Sequence, residues 1–155
     1  MPTKPDEQLE PTNRLHSNYL CFAVYSTNLA FGKAYRPILK ELGLTYTQSI
    51  ILTALRETDN QTVSELGDKV FLESNTLTPI LKKLEAIGYL LRLRDPEDER
   101  QVRISLTESG RRLHEQGPKM DLEAAMELDP YRFDELQKAM VPLRGSLIDL
   151  AENCK

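Results

Sequence analysis

Between Thr62 and Leu106 the hydrophobic period of the chain switches from helical to alternating, and this switch restricts the fold more than any other feature. Thr62-Val63-Ser64-Glu65 has the spacing of a capping box and opens a short helix with Val63, Leu66, Val70 and Phe71 directed inward. Leu72 and Glu73 form a tight corner. Ser74 or Asn75 then caps a second helix, in which Leu77, Ile80, Leu81, Leu84 and Ile87 fall on one face and Asn75, Thr76, Thr78, Lys82 and Lys83 stay outside. Gly88 ends it. Tyr89 to Arg94 alternates, with Tyr89, Leu91 and Leu93 on one side and Arg92 and Arg94 on the other, and Val102 to Leu106 alternates in the same way. The charged segment Asp95 to Gln101 joins the two strands as the tip of a hairpin.

Two short helices around a tight turn, followed by such a hairpin, give the element order of a winged helix-turn-helix. The fold expected is mainly α with a small β-hairpin wing (α+β). In that geometry the second helix enters the major groove of DNA. Ser74, Asn75, Thr76, Thr78, Lys82 and Lys83 are then the groups free to meet phosphates and base edges. Arg100 beside Asp98 supplies an oriented guanidinium at the wing tip, suited to a narrow, electronegative minor groove. The net charge of -4 conceals this arrangement: Ser74 to Arg112 carries eight Lys or Arg against six Asp or Glu, and Leu113 to Lys155 five against nine.

The flanks read as helical. One helix spans about Ser17 to Leu42, with Pro37 expected to kink or split it and Gly43 stopping it. Thr45-Tyr46-Thr47-Gln48 is another capping box, opening a helix that carries Ile50, Ile51, Ala54 and Leu55. Thr107 caps a helix after the wing, which Gly117-Pro118 should interrupt before Leu128. Asp129-Pro130 opens a last helix through Phe133, Leu136, Met140, Leu143, Leu147 and Leu150. Residues 1–14 hold three prolines among charges and are expected to be a flexible lead-in. Residues 15–45 and 113–155 would form a helical dimerisation region around a DNA-binding region at 46–112.

A second pattern lies in the first helix. Cys21, Tyr25, Asn28, Gly32 and Tyr35 recur at helical offsets and form one stripe, and four of the six tyrosines fall between Tyr19 and Tyr46. A buried helix face would account for much of this. However, Cys21 falls in the first turn, where the helix dipole favours a thiolate, and tyrosine hydroxyls require partners when buried. Two cysteines far apart in sequence are no disulfide framework, and two histidines without clustered thiols form no zinc site, so free thiols, no metal and no cofactor are expected. No apolar run reaches the roughly 18 to 20 residues that cross a bilayer, and the start shows no signal pattern, so a soluble cytoplasmic protein without membrane partners is expected.

Val63-Ser64-Glu65-Leu66-Gly67, Thr76-Leu77-Thr78-Pro79, Leu81-Lys82-Lys83-Leu84-Glu85 and Asp95-Pro96-Glu97-Asp98-Glu99-Arg100 resemble the MarR family of dimeric bacterial repressors. Leu20-Cys21-Phe22-Ala23 with Tyr25, Tyr35 and Tyr46 resembles its organic-hydroperoxide-sensing branch, the OhrR type. The resemblance implies a homodimer that represses from a pseudo-palindromic operator until an organic hydroperoxide oxidises Cys21, with Tyr35 and Tyr46 as hydrogen-bonding partners of the thiol, Tyr25 a neighbour, and Asp98 and Arg100 in the wing. Phe22 would line the pocket that admits the peroxide. Two-cysteine members of the branch carry the second cysteine in the helix after the wing, where this chain has none between Leu113 and Leu128. Cys154 is the candidate resolving residue, and a small cellular thiol is the other candidate partner.

Fourteen residues of straight helix separate Cys21 from Tyr35 by roughly 21 Å. If the two meet, either the helix breaks or Tyr35 comes from a second subunit across a two-fold axis. Two rival functions are a repressor released by a small aromatic ligand, with Cys21 only packing, and a thiol peroxidase. The second would be an enzyme, yet Leu20-Cys21-Phe22 lacks the nearby Thr and Arg that activate a peroxidatic thiol.

Overall fold

The structure is a computed structural model and describes residues 19–116 and 129–154. The lead-in at 1–14, the expected start of the first helix at Ser17 and the interruption expected at 117–128 lie outside these residues. The chain divides into two units, Met1–Gly117 and Pro118–Lys155. In the first, helix α1 spans Leu20–Glu41 and α2 Tyr46–Glu57. Strand β1 is Gln61–Thr62, followed by α3, Val63–Val70, and α4, Ser74–Ile87. Strands β2, Leu90–Arg94, and β3, Val102–Leu106, lead to α5, Glu108–Gln116. The second unit holds α6, Pro130–Asn153.

Both capping boxes are made. Thr45 Oγ1 accepts the Gln48 N–H at 3.3 Å while the Thr45 N–H donates to Gln48 Oε1 at 2.8 Å. The Glu65 N–H donates to Thr62 Oγ1 at 3.2 Å, and Glu65 accepts the Thr62 N–H at 2.7 Å. Each box satisfies two of the donors that a helix start leaves open. Asp129 caps α6 by accepting the Arg132 N–H at 2.9 Å, with Pro130 at the first helical position.

Ile51, Leu55, Leu66, Leu77, Leu81, Leu84, Leu90 and Ile104 are fully buried and form the centre of the first unit. Each such side chain contributes about 1.5–3 kcal/mol on leaving water. The hairpin carries a third strand that the alternation did not reveal: the sheet order is β1-β3-β2, with Gln61 opposite Ile104 and Thr62 opposite Arg103. Two residues of β1 carry too little pattern to be read from sequence.

Several expectations are corrected. Pro37 does not split α1, which runs on to Glu41. The start of α4 is capped by neither Ser74 nor Asn75: Glu73 occupies the cap position, without a side-chain cap bond, and Ser74 is already helical. Phe71 is exposed, because it closes α3 in the left-handed conformation (φ 59°) and leaves the helix's inner stripe. Ile87, at the end of α4, is also exposed. The faces of β2 are reversed: Leu90 is 1% exposed, whereas Leu91 and Leu93 are 49% and 62% exposed. The cause is the end of α4. Gly88 turns left-handed (φ 89°) and the Tyr89 N–H bonds back to Leu84 O at 3.0 Å, so Tyr89 belongs to the helix closure and the strand starts one residue later. Leu90 then pairs with Leu106, and Arg92 with Ile104, on the inner face. Arg92 reaches Glu85 at 3.5 Å.

Tyr89 fastens three elements. Its hydroxyl donates to Leu42 O at 3.0 Å, beyond the end of α1, and its carbonyl accepts the Thr107 N–H at 3.1 Å, ahead of α5. Gly110 of α5 lies against the same carbonyl, where an added Cβ would stand 2.0 Å from Tyr89 O. Three carboxylates close the neighbouring turns and ionise below the usual carboxylate range. Glu65 is held down first by its backbone and side-chain bonds to Thr62. Asp95 is held down by the Glu97 N–H, with the Arg103 guanidinium adding to it against some burial. Burial pushes Asp59 up, but the N–H groups of Leu106 and Asn60 and the Arg111 guanidinium outweigh it.

Gly110→Ala should cost about 1–3 kcal/mol or more, since backbone rather than a flexible side chain must yield, and would be read as a lowered urea midpoint with unchanged m-value. The three carboxylates have folded pKa values below their unfolded ones. Their stabilisation is therefore complete above about pH 5 and lost as pH falls through the folded values, so the urea midpoint should drop on acidification from about pH 5 towards pH 2. Asp59→Asn should shallow that drop.

Candidate functional site

Two sets of residues carry the expected chemistry, one on α1 and α2 and one on α4 and the wing. Cys21 lies in the first turn of α1 and is exposed; Cys154, at the end of α6, is also an exposed free thiol. The helix start is closed by backbone alone, with the N–H groups of Phe22 and Ala23 both bonded to Tyr19 O at 3.1 Å. Phe22 and Tyr25 stand one turn apart with ring centroids 6.4 Å apart, beside Cys21 on the exposed start of α1. Cys21 therefore has an aromatic flank of its own.

Tyr35 and Tyr46 form a separate pair. Their ring centroids are 5.2 Å apart and tilted by 36°, one from the fifth turn of α1 and one from the start of α2. The Thr45–Gln48 box sets where Tyr46 begins its helix, and the angle between α1 and α2 then brings its ring to Tyr35. Burial raises the Tyr46 phenol above its ordinary value of 10.0, and the neighbouring Tyr35 adds to the shift. Helix α1 is unbroken from Leu20 through Tyr35, which puts the tyrosine pair roughly 21 Å along the axis from Cys21 of the same chain. Tyr35 and Tyr46 come together; Cys21 does not join them within one chain.

On α4, Ser74, Asn75, Thr76, Lys82 and Lys83 are exposed and Thr78 is half-buried, opposite the buried Leu77, Leu81 and Leu84. The hydroxyls are ordered by local bonds. Thr78 donates to Ser74 O at 2.7 Å and Thr76 to Asn75 Oδ1 at 3.2 Å. At the wing tip Asp98 does not pair with the Arg100 guanidinium as expected; it accepts the Arg100 backbone N–H at 3.1 Å and leaves that side chain exposed. A short Asx-type turn explains the difference, because the carboxylate reaches the peptide two residues on more readily than a long flexible side chain.

Sequence reasoning passed over Asp95 and Arg103, which lie at the root of the wing and bond each other at 2.5 Å. The Asp-Pro start of the loop, a turn-forming pair, was the available signal. Among the described residues no group of three or more His, Cys, Asp or Glu is placed to hold a metal ion, and no helix is long and apolar enough to cross a membrane.

The family model "Transcriptional regulator SarA/Rot" matches residues 33–116, more than half of the chain. The chain belongs to this family, in the OhrR-type branch of the MarR winged-helix regulators. It is similar to the HTH-type transcriptional regulator TtmR of Methylorubrum extorquens, with 53% identity over 94 residues, 61% of this chain and 48% of the relative. The matched segment thus spans about half the length of that protein. The organic hydroperoxide resistance transcriptional regulator of Bacillus subtilis is 45% identical over 98 residues, covering 63% of this chain and 67% of the relative. Among solved structures, that of reduced AbfR bound to DNA superposes with a TM-score of 0.72 at 37% identity, covering 90% of this chain and 96% of AbfR. The winged-helix architecture and the role of transcriptional regulator follow from this membership.

Tyr35→Phe should lower the Tyr46 phenol partway towards its ordinary value, leaving the larger shift due to burial. Ultraviolet titration of the phenolates, compared with a Tyr46→Phe variant to assign the transition, measures it.

Proposed function

We propose that the protein is a redox-sensing repressor that binds operator DNA as a reduced homodimer and leaves it when organic hydroperoxide oxidises Cys21. The observation that carries this reading is the unbroken helix between Cys21 and the Tyr35–Tyr46 pair. A straight helix keeps the two apart in one chain, while an antiparallel second copy related by a two-fold axis would bring the partner's tyrosine pair to Cys21. The sensing site would then be assembled only in the dimer. Residues 15–45 and 113–155 would supply that dimerisation region, and 46–112 the DNA-reading part.

The chemistry balances with the residues at hand. The Cys21 sulfur attacks the outer oxygen of the hydroperoxide, the O–O bond breaks, an alcohol leaves, and the sulfur becomes a sulfenic acid. Phe22 and Tyr25 flank the approach with apolar surface suited to an organic rather than an inorganic peroxide. A thiol, from Cys154 or a small cellular thiol, then condenses with the sulfenic acid to a disulfide and releases water. Loss of the thiol from its tyrosine partners, and the bulk of the disulfide, would move the two reading helices out of register with half-sites spaced about 34 Å apart.

On the DNA side, Ser74, Asn75, Thr76, Thr78, Lys82 and Lys83 form the exposed face of the reading helix, and Asp98 and Arg100 the wing tip. Support comes from their placement and from the similarity to AbfR, which was solved on DNA in its reduced state.

Cys21→Ser should bind the operator as tightly as the parent and ignore cumene hydroperoxide in a gel shift, whereas the parent is released and then restored by dithiothreitol unless it has been over-oxidised. Release of the serine variant by peroxide would refute the redox mechanism. Non-reducing mass spectrometry of the oxidised parent separates a Cys21–Cys154 link from a mixed disulfide on Cys21 alone.

A further inference from the structure

The root of the wing holds a carboxylate that DNA reading, as set out above, leaves without a role. Asp95 is 5% exposed although it begins a solvated loop. Its Oδ1 accepts the N–H groups of Glu97 at 2.8 Å and Asp98 at 3.4 Å, its own N–H donates to Gln101 O at 3.0 Å, and its Oδ2 receives the Arg103 Nε at 2.5 Å. Arg103 in turn donates through Nη1 to Asn60 O at 3.0 Å, in the left-handed turn ahead of β1. Asp98 repeats the device farther out, accepting the Arg100 N–H at 3.1 Å on one oxygen and the Gln101 side-chain amide at 3.1 Å on the other. Two carboxylates in series thus link the body of the domain to the backbone of Arg100.

We propose that Asp95 is a positioning residue for DNA recognition, holding Asp98 and, through it, Arg100 at a fixed height and angle for the minor groove. This rests on the reading of the protein as a DNA-binding dimer with Arg100 in that groove. An arginine pays off in a narrow groove only if its backbone is already placed, because ordering a free loop on binding consumes the gain. The alternative is that Asp95 merely stabilises the hairpin. That role would lower stability without changing which DNA features are read.

The test is a mutant cycle on the full-length reduced protein. The probe is a fluorescent duplex of about 30 base pairs, selected by the parent from a randomised library, and a second version in which 2,6-diaminopurine replaces adenine in the flanks. That base adds an amino group to the minor groove and leaves the major-groove edge of the pair able to be read. Asp95→Asn should weaken binding on the order of tenfold and erase the preference for the unmodified duplex, as Arg100→Ala should. The double variant should bind no worse than Arg100→Ala alone, because Asp95 acts through Arg100. Asp98→Ala, which removes the outer link and leaves the buried one, should give the same non-additivity, so the proposal stays testable if Asp95→Asn folds poorly. Retained preference in Asp95→Asn or Asp98→Ala, or losses that multiply with that of Arg100→Ala, would overturn the positioning role while leaving DNA reading intact. If Arg100→Ala itself changes neither affinity nor preference, the minor-groove reading of the wing falls and the Asp95 proposal with it.

Discussion

Tyr89 is where the first unit is tied together. Its N–H completes the closure of α4 on Leu84, its carbonyl receives Thr107 and packs on Gly110, and its hydroxyl holds Leu42 just past α1. One residue therefore links the end of the thiol-bearing helix α1, the end of α4 and the start of the helix after the wing. The buried neighbours Leu84 and Leu90 are fully packed on either side of it in sequence, so the junction has little room to adjust. A displacement of the end of α1 must either break the Tyr89–Leu42 bond or carry the end of α4 with it.

Under the proposed redox reading, that link would connect the thiol-bearing helix to α4. Cys21 stands at the opposite end of α1 from Leu42, and the helix between them is continuous, so a change at the thiol would be passed along a rigid element rather than through a flexible loop. The Tyr35–Tyr46 pair joins α1 to α2 before that junction is reached, and α2 contributes Ile51 and Leu55 to the same core as α4. Helix α1 is thereby tied to α4 at two points, through α2 and through Tyr89. Under that reading the coupling would run through a close-packed core, which favours two discrete arrangements over a continuous range.

The sequence was most legible where local chemistry decides the structure. The boxes at Thr45–Gln48 and Thr62–Glu65, the cap at Asp129-Pro130 and the stripe Leu77, Leu81, Leu84 are set by residues within a turn or two of one another. Legibility failed where a single residue's assignment to one element or the next was at stake. Tyr89 alternates correctly with Leu91 and Leu93, but the glycine closure claims it for the helix, and a shift of one residue turns every later side chain of β2 to the other face. The Cys21 stripe was visible from spacing, and so was the impossibility of Cys21 meeting Tyr35 in one straight helix. The contact between Tyr35 and Tyr46 was not, since it depends on the angle between α1 and α2.

The reversal of β2 also bears on how the wing is built. With Leu91 and Leu93 outside, the inner face at that level is given to Arg92, which lies against Glu85 of the reading helix. Arg103, opposite Leu93, is likewise drawn away from the wing tip to Asp95 and Asn60. Two of the arginines that made this segment look basic are therefore occupied, Arg92 in holding the hairpin to α4 and Arg103 in holding the base of the wing loop to the turn at Asn60. The charge left for a polyanion is concentrated at Lys82 and Lys83 on the helix and at Arg94 and Arg100 on the wing. Counting residues along the chain therefore overstates how many charges face outward, because Glu85 and Asp95 occupy Arg92 and Arg103.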